Sequence, residues 1–174
     1  ARIVKDNARA CIGVENHVVV FAMFAVLMRK IADSRVFDQH AAGHAERYDV
    51  VSCLEMLEHV PDPEAIIDAC LAALKPGGWL ILSTLNRTPK AMMLGIVAAE
   101  HILRIVPKGT HHYAQFIKPS EMVAALKTKA VDIKDLSGMR YNPFSGTATL
   151  DKQDLDINYF VTIQKMTVQK HSAS

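Results

Sequence analysis

Cysteine is scarce in this sequence, neither sign of charge dominates, and no apolar run is long enough to cross a bilayer. Each shortage excludes a class of protein. Cys11, Cys53 and Cys70 are odd in number, scattered, and form no Cys-x-x-Cys. That argues against a disulfide framework or a zinc ribbon and fits a reducing compartment. The formal net charge is only +2, which gives no ground for a nucleic-acid partner. Val18 to Met28 is apolar throughout, but a spanning helix needs about 20 such residues. Basic Arg2, Lys5 and Arg9 precede that run as in a signal peptide, yet Arg29 and Lys30 stand where a small-residue cleavage site belongs. Neither glycine nor proline occurs from Val14 to Ala42, and no repeat or low-complexity tract is present. The first residue is Ala1 rather than methionine, which reads as a fragment or a processed product.

What is present suffices for one domain with a real core: 174 residues, half of them hydrophobic and 22% charged. The chain is organised around Tyr48 to Pro63. A short apolar run, Val50 to Leu54, gives way to the ionisable Glu55, Glu58 and His59. A buried strand that delivers charged groups at its C-terminal end is where an open parallel sheet places its ligand site. Asp62 and Pro63 then suit the cap and first residue of a helix. Ala65, Ile66, Ala69, Cys70, Ala73 and Leu74 make its apolar face. Pro76, Gly77 and Gly78 stop that helix, and Trp79 to Leu85 reads as the next buried strand. Strand, helix, strand at this spacing is a βαβ unit.

Elsewhere the reading is coarser. Residues 1 to 46 form a divergent segment in which Val18 to Lys30 suits a helix or a strand. His40 and His44 read as solvated loop residues, with no ligand partners at metal spacing. Ala91 to Val106 is a second apolar stretch, interrupted by Glu100, His101 and Arg104, with Glu100 and Arg104 a favourable i,i+4 pair. Pro119 to Glu121 open a further helix whose Met122, Val123, Ala125 and Leu126 face inward. Val131 to Leu136 and Asn158 to Gln164 suit strands, and the turn-rich Gly138 to Asp156 suits a long hairpin connection.

The runs Glu55-Met-Leu-Glu-His-Val-Pro-Asp-Pro63, Leu74-Lys-Pro-Gly-Gly78, Ser83-Thr-Leu-Asn-Arg87, Val106-Pro-Lys-Gly-Thr-His111, Phe116-Ile-Lys-Pro119 and Tyr141-Asn-Pro143 stand in a familiar order. Together they resemble the ubiquinone-biosynthesis O-methyltransferases, a branch of the class I S-adenosylmethionine-dependent methyltransferases. The resemblance covers residues 46 to 166. It implies an α/β fold, the C-terminal half of a Rossmann-like sheet, over residues 47 to 166, with 167 to 174 as a tail. It implies S-adenosyl-L-methionine as cofactor, with Leu54 where the family contacts it, and a divalent metal, magnesium, held by Glu55, Glu58 and His59. It also implies a polyprenyl catechol as substrate. The location would then be cytoplasmic and peripheral to a membrane, on the matrix side in a mitochondrion. The departure is that no Gly-x-Gly occurs anywhere and Gly13 stands alone. The family's glycine-rich cofactor loop therefore has no counterpart, and an incomplete enzyme or a non-catalytic binding remnant are the two readings.

The residues admit the implied chemistry. A phenol has a pKa near 10, by analogy with tyrosine, so a cation binding both catechol oxygens would favour the phenolate. Glu55, Glu58 and His59 stand at i, i+3 and i+4 and would share one face of a helical turn. From ligand type alone, manganese, iron or zinc suit them as well as magnesium. The plainer alternative places Glu58 and His59 in a solvated turn and makes Glu55 a helix cap. Asn86 and Arg87 end the next strand near the same crevice and read as substrate contacts or surface loop, and His111 as a possible base. Met92, Met93, Ile96, Val97, Leu103 and Val106, with Lys90, Arg104 and Lys108, offer a surface suited to a membrane interface or an active-site lid. Without a glycine-rich neighbour, the strand Tyr48 to Leu54 has an unpaired edge that Val18 to Leu27 could cover. The chain alone is expected not to bind the cofactor tightly.

Overall fold

A computed structural model of the chain describes residues 11–14, 18–22, 45–94, 112–142 and 145–167. Seven strands form one sheet in the order β1-β2-β3-β4-β7-β5-β6. They are β1 (Cys11–Val14), β2 (Val18–Ala22), β3 (Tyr48–Leu54), β4 (Leu74–Leu85), β5 (Val131–Asn142), β6 (Thr147–Asp151) and β7 (Asn158–Lys165). The helices are α1 (Pro63–Ala73), the single turn α2 (Pro89–Met92) and α3 (Pro119–Lys127).

The centre of the sheet is the expected βαβ unit. β3 and β4 pair in parallel, with Val51 opposite Leu80 and Cys53 opposite Leu82. β7 then pairs antiparallel with β4, Leu82 against Val161. Val51, Cys53, Leu80, Leu82, Val161 and Ile163 are all inaccessible to solvent. Burying each aliphatic side chain among them contributes about 1.5–3 kcal/mol relative to exposure. Cys53 and Cys70 are free thiols within this core. Their mutual hydrogen bond, and then burial, raise the Cys53 thiol well above its ordinary value.

Local chemistry sets the ends of α1. The Asp62 carboxylate accepts from the Ala65 amide at 3.1 Å, and Pro63 needs no partner at the first helical position. Ile66, Ile67, Ala69, Cys70 and Ala73 form the buried stripe. The helix stops one residue earlier than the apolar pattern implies, because Leu74 is already extended and pairs with Tyr48. Pro76-Gly77-Gly78 is consequently an irregular entry into β4, where register shifts between Tyr48 and Val50. Gly77 has φ +78°, and a Cβ at Gly78 would lie 2.9 Å from the Lys75 carbonyl oxygen and 3.1 Å from that of Asp49. Only glycine fits both positions without strain.

One further expectation is corrected and another is met. Gly138 to Asp156 is not one long connection: β5 continues to Asn142 and pairs with β6 in a hairpin from Gly138↔Asp151 to Asn142↔Thr147. The open edge of β3 is covered by a strand, since β2 pairs with it in parallel from Val18↔Val50 to Ala22↔Leu54. β1 adds antiparallel to β2. The proposed helix beyond Met92 continues as a wider turn to Leu94, and the rest of Ala91 to Val106 lies outside the described residues. His40, His44, Glu100, His101, Arg104 and His111 lie outside them too.

Candidate functional site: paired carboxylates at the C-terminal edge of the parallel strands

The site begins where β3 ends. Leu54, half-buried, is the last residue of the strand and stands opposite Ser83 of β4. Glu55 follows with φ +48°, a left-handed conformation that a side chain rarely adopts without a local reason. Its amide donates to both the carbonyl oxygen and the hydroxyl of Ser83, each at 3.0 Å. The Ser83 hydroxyl in turn donates to Glu55 Oε1 at 2.8 Å. The reversal after β3 is thus tied to β4 by backbone and side chain together.

Residues Leu57–His59 then make one 3-10 turn. The three ionisable side chains are therefore not three points on one α-helical face. Glu55 lies before the turn in a left-handed conformation, and Met56 breaks the helical path with φ −123°. Glu58 is not in a solvated turn either, being only 1% exposed. Its Oε2 accepts from the Thr84 hydroxyl at 2.7 Å. Its Oε1 has no hydrogen-bond partner and faces His59 Nε2 at 3.9 Å. Burial, and next the Glu55 charge, push the Glu58 carboxyl up to about 8, against the lowering effect of the Thr84 bond. Tyr159 lies nearby, fully buried, and donates to the Ile117 carbonyl oxygen at 2.9 Å. Burial, then Glu58, raise its phenol further above its ordinary value. Tyr159 is a fixed donor at neutral pH and not a base.

Asn86 and Arg87 serve as ties between elements. The Asn86 side chain donates to the Leu155 carbonyl oxygen at 2.8 Å. Arg87 donates to the Phe116 carbonyl oxygen at 2.8 Å and makes a two-pronged pair with Glu121 at 3.0 and 2.7 Å. Beside this pair, a cleft of about 360 Å³ opens between the exit of the 3-10 turn, α1 and α3, lined by Val60, Pro61, Ile67, Ile117, Met122 and Arg87 among others. Val60 directly follows His59 in the chain, while Glu55, Glu58 and His59 themselves do not line this cleft. Sequence reasoning missed Ser83 and Thr84, although two hydroxyls in succession in a buried apolar strand are a signal that something polar faces them.

Among the described residues no group of three His, Cys, Asp or Glu side chains is arranged to hold a metal ion. One observation nevertheless fits a cation. A buried carboxylate oxygen without a donor, flanked by an imidazole and a second carboxylate, lies where positive charge would relieve both desolvation and like-charge repulsion. The fit to S-adenosylmethionine is partial. Leu54 ends β3 at the crevice, but β2 beside it contains no glycine, and backbone cannot approach a ligand there as it does in a glycine-rich turn.

The methyltransferase-domain family matches residues 6–129. The ubiquinone biosynthesis O-methyltransferase of Xanthomonas campestris pv. campestris is 54% identical over 125 residues, which cover 72% of this chain and 52% of that protein. The protein of the same name from Thiobacillus denitrificans is 44% identical over 128 residues, 74% of this chain and 55% of its own length. The chain spans about half the length of the curated relatives it matches. In three dimensions, a SAM-dependent methyltransferase from Thermotoga maritima superimposes with a TM-score of 0.50 at 13% identity, covering 71% of this chain and 57% of that one. At that identity the likeness speaks to the fold alone.

Proposed function

Since this chain belongs to the methyltransferase-domain family, we propose that it forms the acceptor-side part of a SAM-dependent O-methyltransferase of ubiquinone biosynthesis. The observation that carries the reading is the buried Glu58, paired with Glu55 and His59 at the C-terminal edge of β3. This is the edge at which open α/β sheets bind ligands, and perturbed carboxyls cluster at functional sites. The names of the relatives, of whose length the chain spans about half, support the reaction class. No observation favours a non-catalytic remnant.

In this reading Glu58 and His59 would hold a divalent cation, magnesium by family resemblance, with Glu55 joining through the oxygen that does not accept from Ser83. The bound cation would supply the charge that favours a catechol as phenolate at neutral pH. The chain's own residues do the rest. Thr84 and Ser83 hold the carboxylates, Arg87 locks β4 to the start of α3, and the apolar cleft beside Val60 offers room for the non-reacting part of a lipid-tailed acceptor. Leu54 would meet the cofactor from the acceptor side. Tight binding of S-adenosylmethionine by the chain alone is not expected, and calorimetric titration giving a low-micromolar dissociation constant would refute that.

A membrane surface is the proposed partner of the segment that starts at Ala91. Met92, Met93 and Leu94 are 38, 59 and 44% exposed, which suits insertion at a lipid interface. Lys90, expected to meet headgroups, pairs with Asp156 at 3.1 Å, with both side chains largely exposed. No helix among the described residues is long and apolar enough to cross a membrane. Co-sedimentation with anionic liposomes, cytoplasmic or matrix-like in composition, should fall for Met93→Asp and Ile96→Asp, and equal binding would remove this partner.

The reaction itself is tested in a chimera. Residues 46–166 replace the matching half of the Xanthomonas campestris relative, and methyl transfer from labelled S-adenosylmethionine to a polyprenyl catechol is followed. The chimera should turn over, and Glu58→Gln or His59→Ala should reduce turnover at least 100-fold. A folded, cofactor-binding chimera with no transfer would overturn the proposal.

A further inference from the structure

Glu58 sits in the 3-10 turn and Glu55 just before it, and the side-chain hydroxyls that donate to both come from β4. Leu57–His59 gives Glu58 no side-chain donor, and the turn lacks a side-chain cap bond. Both acids are gripped by adjacent hydroxyls of the neighbouring strand: Ser83 Oγ on Glu55 Oε1 at 2.8 Å and Thr84 Oγ1 on Glu58 Oε2 at 2.7 Å. Adjacent residues of a strand point to opposite faces, so the two hydroxyls come at the carboxylates from opposite sides of β4's end. Ser83 and Thr84 are 1 and 0% exposed, and water cannot substitute for either.

We infer that Ser83 and Thr84 are positioning residues that hold one oxygen of each carboxylate and leave Glu58 Oε1 aimed at His59 for a divalent cation. This deepens the proposed function and rests on its cation reading. A carboxylate oxygen fixed by a short hydroxyl bond cannot rotate away, so the other oxygen stays directed without help from the turn. Partners of this kind typically change metal affinity 10- to 100-fold when removed. The methyl group of Thr84 restricts its rotamer, so serine at that position should keep the bond with looser aim.

The test is titration of the full chain with Mn²⁺, read by electron paramagnetic resonance of the free ion, with circular dichroism as the check on folding. Parent protein is compared with Thr84→Val, Thr84→Ser and Ser83→Ala. Thr84→Val should weaken Mn²⁺ binding 10- to 100-fold, Thr84→Ser should recover it to within about 3-fold of the parent, and Ser83→Ala should weaken it 3- to 10-fold. Should Thr84→Val fail to fold, Ser83→Ala and Thr84→Ser decide. Binding equal to the parent in folded variants overturns the positioning role while leaving the cation reading intact. A parent that takes up no Mn²⁺ overturns the cation reading and this inference with it.

Discussion

The two ends of the β3–β4 pair treat charge in opposite ways. At the entry end, Lys75 Nζ meets both oxygens of Asp49 at 2.8 and 3.0 Å, and both side chains remain partly in water. Opposite charges there satisfy each other, and solvent screens what they gain. At the exit end, two carboxyl groups are brought together, one of them removed from water, with hydroxyls rather than cations as their donors. A fold gains nothing from that second arrangement by itself. The entry end is scaffold, and the exit end is where the proposed cation would act.

Breaking the exit end should have the largest effect, and the effect should depend on pH. Glu58 releases its proton near 4.5 in the unfolded chain and near 8 when folded and metal-free. Between these values the folded state binds more protons, so stability falls as pH rises, with the contribution complete below 4.5 and gone above 8. Melting temperature measured from pH 5 to 8.5 in chelator should fall for the parent and stay nearly flat for Glu58→Gln. Parallel curves would show that Glu58 is not the group responsible.

Smaller effects sharpen the contrast. Arg87→Ala removes the bond to Phe116 and the partly exposed pair with Glu121, and should cost about 1–2 kcal/mol in urea unfolding. A loss under a few tenths would mean that β4 and α3 are held by packing alone. Asp62→Ala removes the α1 cap just beyond the site and should cost about 1 kcal/mol, with Asp62→Asn recovering most of it. Lys75→Ala, at the entry end, should cost under about 0.5 kcal/mol and less still in 0.5 M salt. A loss as large as that of Arg87→Ala would erase the distinction between the two ends.

Much of this was legible in the linear pattern. Tyr48 to Leu54, the Asp62-Pro63 helix start and Trp79 to Leu85 are local signals, and each lies in its expected element, although β4 starts earlier, at Leu74. The β-hairpin past Gly138 was not legible, because Gly138, Asn142, Ser145 and Gly146 carry turn propensity, and pairing of Gly138 to Asn142 with β6 decides where the strand ends. Nor was the choice of strand for Val18 to Ala22, since an apolar run without period suits either structure until a neighbouring edge selects one. At the site, Glu55, Glu58 and His59 could be picked out by type and spacing. Their geometry could not, because it depends on a left-handed residue at Glu55 and on hydroxyls 26 to 28 positions away.

The sequence by itself determined the βαβ unit, the helix limits near Asp62 and Pro76, and the family, because these rest on contacts within a few residues or on motifs in order. Only the tertiary structure decided that Glu58 is buried, that Glu55 leaves the helical face, and that Ser83 and Thr84 hold both acids. The physical reason is that burial and hydrogen bonding between strands depend on which segment lies alongside, and the pairing of β3 with β4 puts Ser83 and Thr84 beside the acids.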